Sequence, residues 1–158
     1  MNLLRRDLLL TTLATGVAVP AWAHHGWSSF DQNRPLYLEG RVAEVRWRNP
    51  HAELLLDLPQ PLVLPADLRN RSLPAQQAGV DGPALLARTT LPRRSDRRWE
   101  VELAPLFRLQ QWQMKEIVPG DQVAVVGFTF AEEKGAPLLR AEYVFHDGRV
   151  VGLRSSPA

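Results

Sequence analysis

The sequence contains no cysteine, and this absence removes several classes of chemistry at once. Disulfide bridges, thiolate metal sites and cysteine nucleophiles are all excluded. Histidine is scarce, with four residues in a chain of 158. A strong charge of one sign is also lacking, because the formal net charge is only +2, so no nucleic-acid partner is expected. No nucleophile elbow, phosphate loop or dinucleotide fingerprint is present, which makes an enzyme the less favoured class.

Residues 1–23 have the three parts of an export signal. Arg5 and Arg6 form a charged start, residues 8–19 are moderately apolar, and residues 21–23 read Ala-Trp-Ala, a small-x-small cleavage site. An apolar run of this length rises about 18 Å as a helix, too short for a bilayer core of about 30 Å. We therefore expect a signal peptide, a periplasmic or secreted product, and no transmembrane segment after cleavage.

The leader resembles a twin-arginine signal more than a general one. Its paired arginines precede a polar residue and two leucines, although the usual serine or threonine ahead of them is missing. That route exports folded proteins, so a cofactor loaded before export is compatible with it. Residues 24–158 then have a length that suits one domain.

The remaining chain predicts a mainly β fold. Alternating apolar residues indicate strands over 36–47, 52–58, 99–103, 122–130, 138–145 and 149–153. Between the third and fourth strands, apolar spacing of three to four residues predicts a helix over Pro105–Ile117, and Gly40 predicts a bulge or bend in the first strand. This order predicts a small OB-like barrel of five to six strands with one helix between strands 3 and 4. A helix-less sandwich or another small barrel is the alternative.

A proline- and arginine-rich insertion at about 59–97 interrupts this pattern. Six of the thirteen prolines lie in it, which favours a solvated loop with one short helix, from about Pro83 to Ala87 with Asp81 near its cap. A basic patch for a polyanion or an acidic lipid is the alternative.

Four pieces of the chain together resemble a bacterial family of small exported proteins that is classed as a domain of unknown function. They are residues 23–26 with 30–31, residues 40–42 with the Trp-Arg-Asn-Pro-His motif at 47–51, residues 99–102, and residues 119–123 with 147–149. The resemblance implies an exported β-barrel and brings no established activity. It also implies that the insertion is peculiar to this member or its subgroup.

The histidines carry the sharpest chemical hypothesis. After cleavage behind residue 23, His24 would offer a free α-amine and an imidazole, and His51 would supply a third nitrogen, as in a copper-binding histidine brace. His25 would substitute for His24 or add a ligand. Glu102 and His146 are expected as second-shell or extra ligands. Alternatively, the paired histidines are solvated and His51 caps its own turn.

Other residues are expected to be structural, in turns and in the core. These are Trp47, Asn49 and Pro50 in the first turn, Gly120 and Asp121 before the fourth strand, and Asp147 and Gly148 in the last hairpin. The leading functional hypothesis is an exported copper-binding or copper-delivery protein, with no other cofactor. The alternative is a non-enzymatic interaction module that binds an envelope protein, a small ligand or a polyanion through the barrel face or the insertion.

Overall fold

The computed structural model describes residues 26–158, so the predicted signal peptide, His24 and His25 lie outside the described residues. Six strands and two short α-helices form the described part of the chain. The strands are β1 (Leu36–Arg46), β2 (Glu53–Asp57), β3 (Arg98–Glu102), β4 (Gln122–Phe128), β5 (Leu138–His146) and β6 (Arg149–Gly152). The helices are α1 (Gly82–Ala87) and α2 (Leu106–Gln111).

The first five strands close into a barrel, and β6 is an extra strand. β1 pairs antiparallel with both β2 and β4, β2 with β3, and β4 with β5. Parallel pairing of β3 with β5 completes the circle, and β6 adds to the far half of β5. With α2 between β3 and β4, this is the predicted mainly β, OB-like barrel, and the fold prediction is confirmed.

β1 bends so that one strand serves both sides of the barrel. Its first half, up to Arg41, pairs with β4, and its second half, from Arg41, pairs with β2. A Cβ at Gly40 would lie 2.2 Å from the carbonyl oxygen of Asp57, so only glycine allows this approach. The register shift itself lies between Val42 and Glu44, two residues beyond the predicted position.

Two hydrophobic clusters lie on opposite sides of the barrel wall, because alternate side chains of a strand point to opposite faces. The barrel interior is filled by residues such as Leu38, Leu54, Val101 and Val125, with Leu109 of α2. The second cluster lies outside β1, β4 and β5. It consists of Phe30, Tyr37, Leu68, Leu85, Leu86, Ala124, Val126, Phe128 and Tyr143.

The insertion is therefore not the solvated loop that its composition predicts. Leu68, Leu85 and Leu86 are buried against the outer faces of β1, β4 and β5, where each covers apolar side chains that would otherwise face water. The short helix inside the insertion is confirmed as α1. Its N-cap residue Asp81 accepts a hydrogen bond from the backbone N–H of Ala84 at 3.0 Å.

α2 is shorter than the predicted helix over Pro105–Ile117. It ends at Gln111, because Gln113 has a φ of 50° and turns the chain out of the helical path. Ile117 is nevertheless fully buried in the barrel interior. The apolar residue at this position therefore belongs to the core although it lies outside the helix. Within residues 26–158 no helix is both long and apolar enough to cross a bilayer.

Candidate functional site

His51, Glu102 and Arg140 form a buried cluster on the outer wall of the barrel. Glu102 and Arg140 are register partners in the parallel β3–β5 pairing that closes the barrel, and they form a salt bridge. His51 precedes β2, and its Nδ1 lies 3.0 Å from Oε1 of Glu102. The side chains of His51, Glu102 and Arg140 are 17%, 9% and 7% exposed, so all three groups interact away from bulk water.

His51 has a charged neighbour at each of its two ring nitrogens. Nη2 of Arg140 lies 3.4 Å from Nε2 of His51. A guanidinium only donates hydrogen bonds and a carboxylate accepts them, so a neutral ring with its proton on Nδ1 is the tautomer that suits both neighbours. A neutral imidazole whose Nδ1–H is held by a carboxylate is the form in which histidine ligates metals through Nε2.

The electrostatics of Glu102 follow from its position. Burial raises the pKa of Glu102 to about 6, against the opposing effect of Arg140, and the nearby carboxylates Glu53 and Glu100 add to the rise. Burial also lowers the pKa of Arg140, and Glu102 opposes that change. Burial thus disfavours the charge on both Glu102 and Arg140, and the attraction between the two charges opposes this cost.

Trp27 connects this cluster to the start of the described chain. Its ring contacts two guanidinium groups, with the Cζ of Arg140 at 4.8 Å and that of Arg154 at 3.7 Å from the ring centroid. The edge of Phe128 contacts the ring at a centroid distance of 6.3 Å. Trp27 therefore fixes residues 26–29 beside Arg140, and through Arg140 beside His51.

The Trp-Arg-Asn-Pro-His motif at residues 47–51, just before β2, also has structural roles besides placing His51. The Oδ1 of Asn49 accepts a hydrogen bond from the backbone N–H of Leu106 at 3.2 Å, so it caps α2, whose own N-cap residue Pro105 has no capping side chain. Backbone bonds between Ala52 and the β3–α2 connection then hold the chain at His51 against the end of β3. Trp47 is partly buried and packs against the cluster that fills the barrel interior.

His146 lies elsewhere in the molecule. It follows Arg140 by six residues along β5, a rise of about 20 Å. Its Nε2 is 2.9 Å from Oδ2 of Asp121, which also accepts from the backbone N–H of Val118. The hydrogen bond from Val118 lowers the pKa of Asp121 below its usual range, although burial acts to raise it. The hydrogen bond and charge of His146 lower this pKa further. The structure thus does not bring His146 to His51.

The turn residues occupy the conformations that their types favour. Gly120 has a φ of +99° before β4, and Asp147 and Gly148 have φ values of 52° and 71° in the tight turn between β5 and β6. Both values in that turn are positive, which is the geometry of a type I′ hairpin. These residues shape the fold and lie outside the His51 cluster.

Arg140 was not among the residues singled out by the sequence. One signal was available, because Arg140 and Glu142 alternate with apolar residues along β5 and both are buried in the structure. Two charged residues on one face of a strand usually indicate a solvated face. Their burial depends on Trp27 and Arg154, which come from distant parts of the chain.

Within residues 26–158, no three histidine, aspartate or glutamate side chains converge in a way that would hold a metal ion. At the His51 cluster, the described residues supply one imidazole and the carboxylate of Glu102. His24 and His25, the other two predicted ligands, precede the described residues in the sequence.

Residues 13–63, about a third of the chain, match the model of a family of unknown function (DUF6152). This stretch contains both the His24-His25 pair and the motif that ends at His51. No curated protein matches the chain. No solved structure matches it either.

Proposed function

We propose that the protein is an exported, periplasmic metal-binding protein that holds copper through His51 and the amine and imidazole of His24, with His25 close by. The observation that carries the proposal is the state of His51. Its Nδ1 lies 3.0 Å from the Glu102 carboxylate, the kind of partner that orients a metal-ligating histidine, and Nε2 is the ring nitrogen that would bind the metal. Three nitrogens in this combination suit copper, and the role would be binding, delivery or buffering rather than catalysis.

The position of Trp27 supports the assignment of His24 as the partner ligand. Trp27 stacks on Arg140, whose Nη2 contacts Nε2 of His51. His24 precedes Trp27 by three residues, and three residues of extended chain span about 10 Å. A short covalent connection therefore allows the new N-terminus to reach His51, provided that cleavage follows Ala23.

Calorimetric titration with Cu(II) tests the proposal. The mature chain beginning at His24 is compared with the same chain carrying one extra alanine ahead of it, and with His51→Ala. We expect binding to weaken at least tenfold in both cases, because each change removes one nitrogen ligand. His146→Ala is the matched control and should leave the affinity unchanged. Equal binding by the mature, extended and His51→Ala proteins would exclude the site.

The second candidate is an interaction module that binds an envelope partner. The outer face of β2 and β3 favours it, because the apolar residues of the insertion pack over β1, β4 and β5 instead. A shallow groove there is lined by Glu44, Arg46, Glu53, Leu55 and Glu100. OB barrels commonly use this face for ligands.

The insertion itself is a weaker candidate for binding a polyanion. Arg71 is paired with Asp67, and Arg94 with Asp96, so part of its positive charge is neutralised internally. The two candidate functions predict different outcomes. If the protein is an interaction module, His51→Ala should leave its function intact. Reversing the charges on the β2–β3 face should instead abolish its salt-dependent association with envelope fractions.

A further inference from the structure

We propose that the pocket between the β5–β6 hairpin and the chain that follows α2 binds a small carboxylate whose apolar body is about the size of a benzene ring. The pocket lies beside His146, about 20 Å along β5 from Arg140, and is therefore separate from the His51 cluster. Ligand binding here neither requires nor excludes a metal at His51.

The floor of the pocket is apolar because of the strand register. Val144 of β5 and Val151 of β6 lie directly opposite each other, and both are buried in the cluster that fills the barrel interior. Met114, from the chain after α2, packs against the same cluster and completes the apolar lining. The pocket therefore reaches down to the hydrophobic core of the barrel.

The mouth of the pocket is polar, because the hairpin carries charged and polar side chains nearer its turn. His146 and Arg149 are register partners two residues beyond the valine pair, so they lie on the same face of the hairpin. The His146 side chain is only 10% exposed, and its Nε2 lies 2.9 Å from Oδ2 of Asp121, so the ring forms a fixed side wall. This gradient from apolar floor to polar mouth matches an amphipathic ligand.

The charge at the mouth favours an anion. The guanidinium of Arg149 donates to the backbone carbonyls of Gln113 at 2.8 Å and Trp112 at 3.2 Å. These bonds use two of its five N–H donors, and the neutral carbonyls leave its positive charge uncancelled. Lys115 adds a second positive charge, 3.7 Å from Asp147, and both of these side chains are largely exposed. Such an ion pair is weak, so a ligand carboxylate can contact Lys115 as well as Arg149.

The volume of the pocket sets the size of the apolar body. The pocket has a volume of about 150 Å³. Apolar cavities of about this volume accept benzene. A water molecule in the liquid takes about 30 Å³, so about five waters would otherwise fill the space above the valines, where hydrogen-bond partners are few. Replacing such waters with an apolar group favours binding.

The test is an NMR titration of the protein with sodium benzoate, followed through the methyl groups of Val144, Val151 and Met114. We expect saturable shifts of these methyl signals. Benzyl alcohol has the same ring without the charge, and it should bind about fivefold more weakly because it makes no charge-assisted hydrogen bonds with Arg149. Acetate has the charge without the ring and should give no saturable shift, because the apolar contacts are missing.

Two charge variants locate the carboxylate. Arg149→Gln should weaken benzoate binding about fivefold and change benzyl alcohol binding less than about twofold. Because this variant also loses the bonds to the chain after α2, Lys115→Gln provides a second comparison at a side chain that is 76% exposed. It should weaken benzoate binding about twofold. Lys134→Gln is the matched control, since Lys134 is 75% exposed and pairs with Glu132, and it should change nothing.

A filled pocket gives the third comparison. Val151→Phe places a ring in the pocket and should abolish the shifts caused by benzoate and by benzyl alcohol. Val150→Phe is its control, because Val150 packs on the opposite face of β6, against the outer cluster. Absence of saturable methyl shifts with benzoate would overturn the proposal, as would undiminished benzoate binding by folded Val151→Phe. Equal binding of benzoate and benzyl alcohol, unaffected by Arg149→Gln and Lys115→Gln, would overturn the assignment of a carboxylate ligand.

Discussion

Replacing Glu133 by glutamine is a direct test of how the insertion is fastened to the barrel. Glu133 is buried in the turn between β4 and β5 and accepts hydrogen bonds from the backbone N–H groups of Arg93 and Arg94, at 3.0 and 3.1 Å. It also forms a salt bridge with Arg34. One carboxylate thus joins the end of the insertion and the N-terminal stretch to the β4–β5 turn.

The size of the effect follows from these contacts. A hydrogen bond to a charged group contributes about 1.5–3 kcal/mol, and glutamine retains one neutral acceptor while losing the charge that Arg34 faces. We therefore expect Glu133→Gln to lower the free energy of unfolding by about 3 kcal/mol at pH 7. Glu132→Gln is the matched control. Glu132 is exposed and pairs with the exposed Lys134, so its loss should cost less than about 0.5 kcal/mol.

The pH dependence gives an independent check on the same carboxylate. Burial acts to raise the pKa of Glu133, but the backbone N–H groups of Arg93 and Arg94 and the Arg34 side chain outweigh it and hold the pKa below its usual range. A carboxylate with a depressed native pKa stabilises the fold fully above its unfolded pKa of about 4.3, and this stabilisation is lost as the pH falls through the native pKa. The difference between wild type and Glu133→Gln should therefore shrink in acid.

The assay is urea unfolding followed by tryptophan fluorescence between pH 7 and pH 3. The dependence of the unfolding free energy on urea concentration is compared among variants, because an unchanged slope shows that only stability differs. A destabilisation below about 1 kcal/mol at pH 7, or one that is unchanged at pH 3, would refute the reasoning. In that case the insertion would be held by its leucines alone.

Three further changes test other parts of the structure. Glu102→Gln should weaken Cu(II) affinity by about 10–100-fold in calorimetry, with Glu100→Gln having little effect, because Glu102 contacts Nδ1 of His51 whereas Glu100 pairs with Arg46. Gly40→Ala should lower the unfolding free energy by about 2–3 kcal/mol in urea, whereas Gly79→Ala, with open space around it, should not. Asn49→Ala removes the cap of α2 and should cost about 0.5–2 kcal/mol in thermal unfolding.

The barrel could be predicted from the sequence because its strands alternate cleanly and its special residues are local. Gly40 marks the bent first strand, and Asp147-Gly148 marks the last hairpin. α1 was predictable from Asp81 and the proline that follows it, which are a cap and a first-turn signal within three residues. Each of these features depends on near neighbours in the chain.

The docking of the insertion and the composition of the His51 cluster could not be predicted in this way. Leu68 and Leu85 are scattered among prolines, without a period that shows which face they bury. Glu102 and Arg140 are 38 residues apart and meet only because β3 and β5 close the barrel in parallel. Contacts that form only when the barrel closes leave no pattern in neighbouring residues. The sequence therefore indicated His51 and Glu102 but not Arg140, which contacts both of them and Trp27.

The outer hydrophobic cluster also implies an order of assembly. Phe30, Leu68 and Leu85 pack onto a surface made by β1, β4 and β5, and that surface exists only when these three strands lie side by side. Non-local strand pairing is the slow part of folding in barrels. The insertion and the N-terminal turn are thus expected to dock late, with φ-values near zero for their leucines and high values for the β1–β4 pairing. The residues next to His24 would then be among the last to reach their native positions.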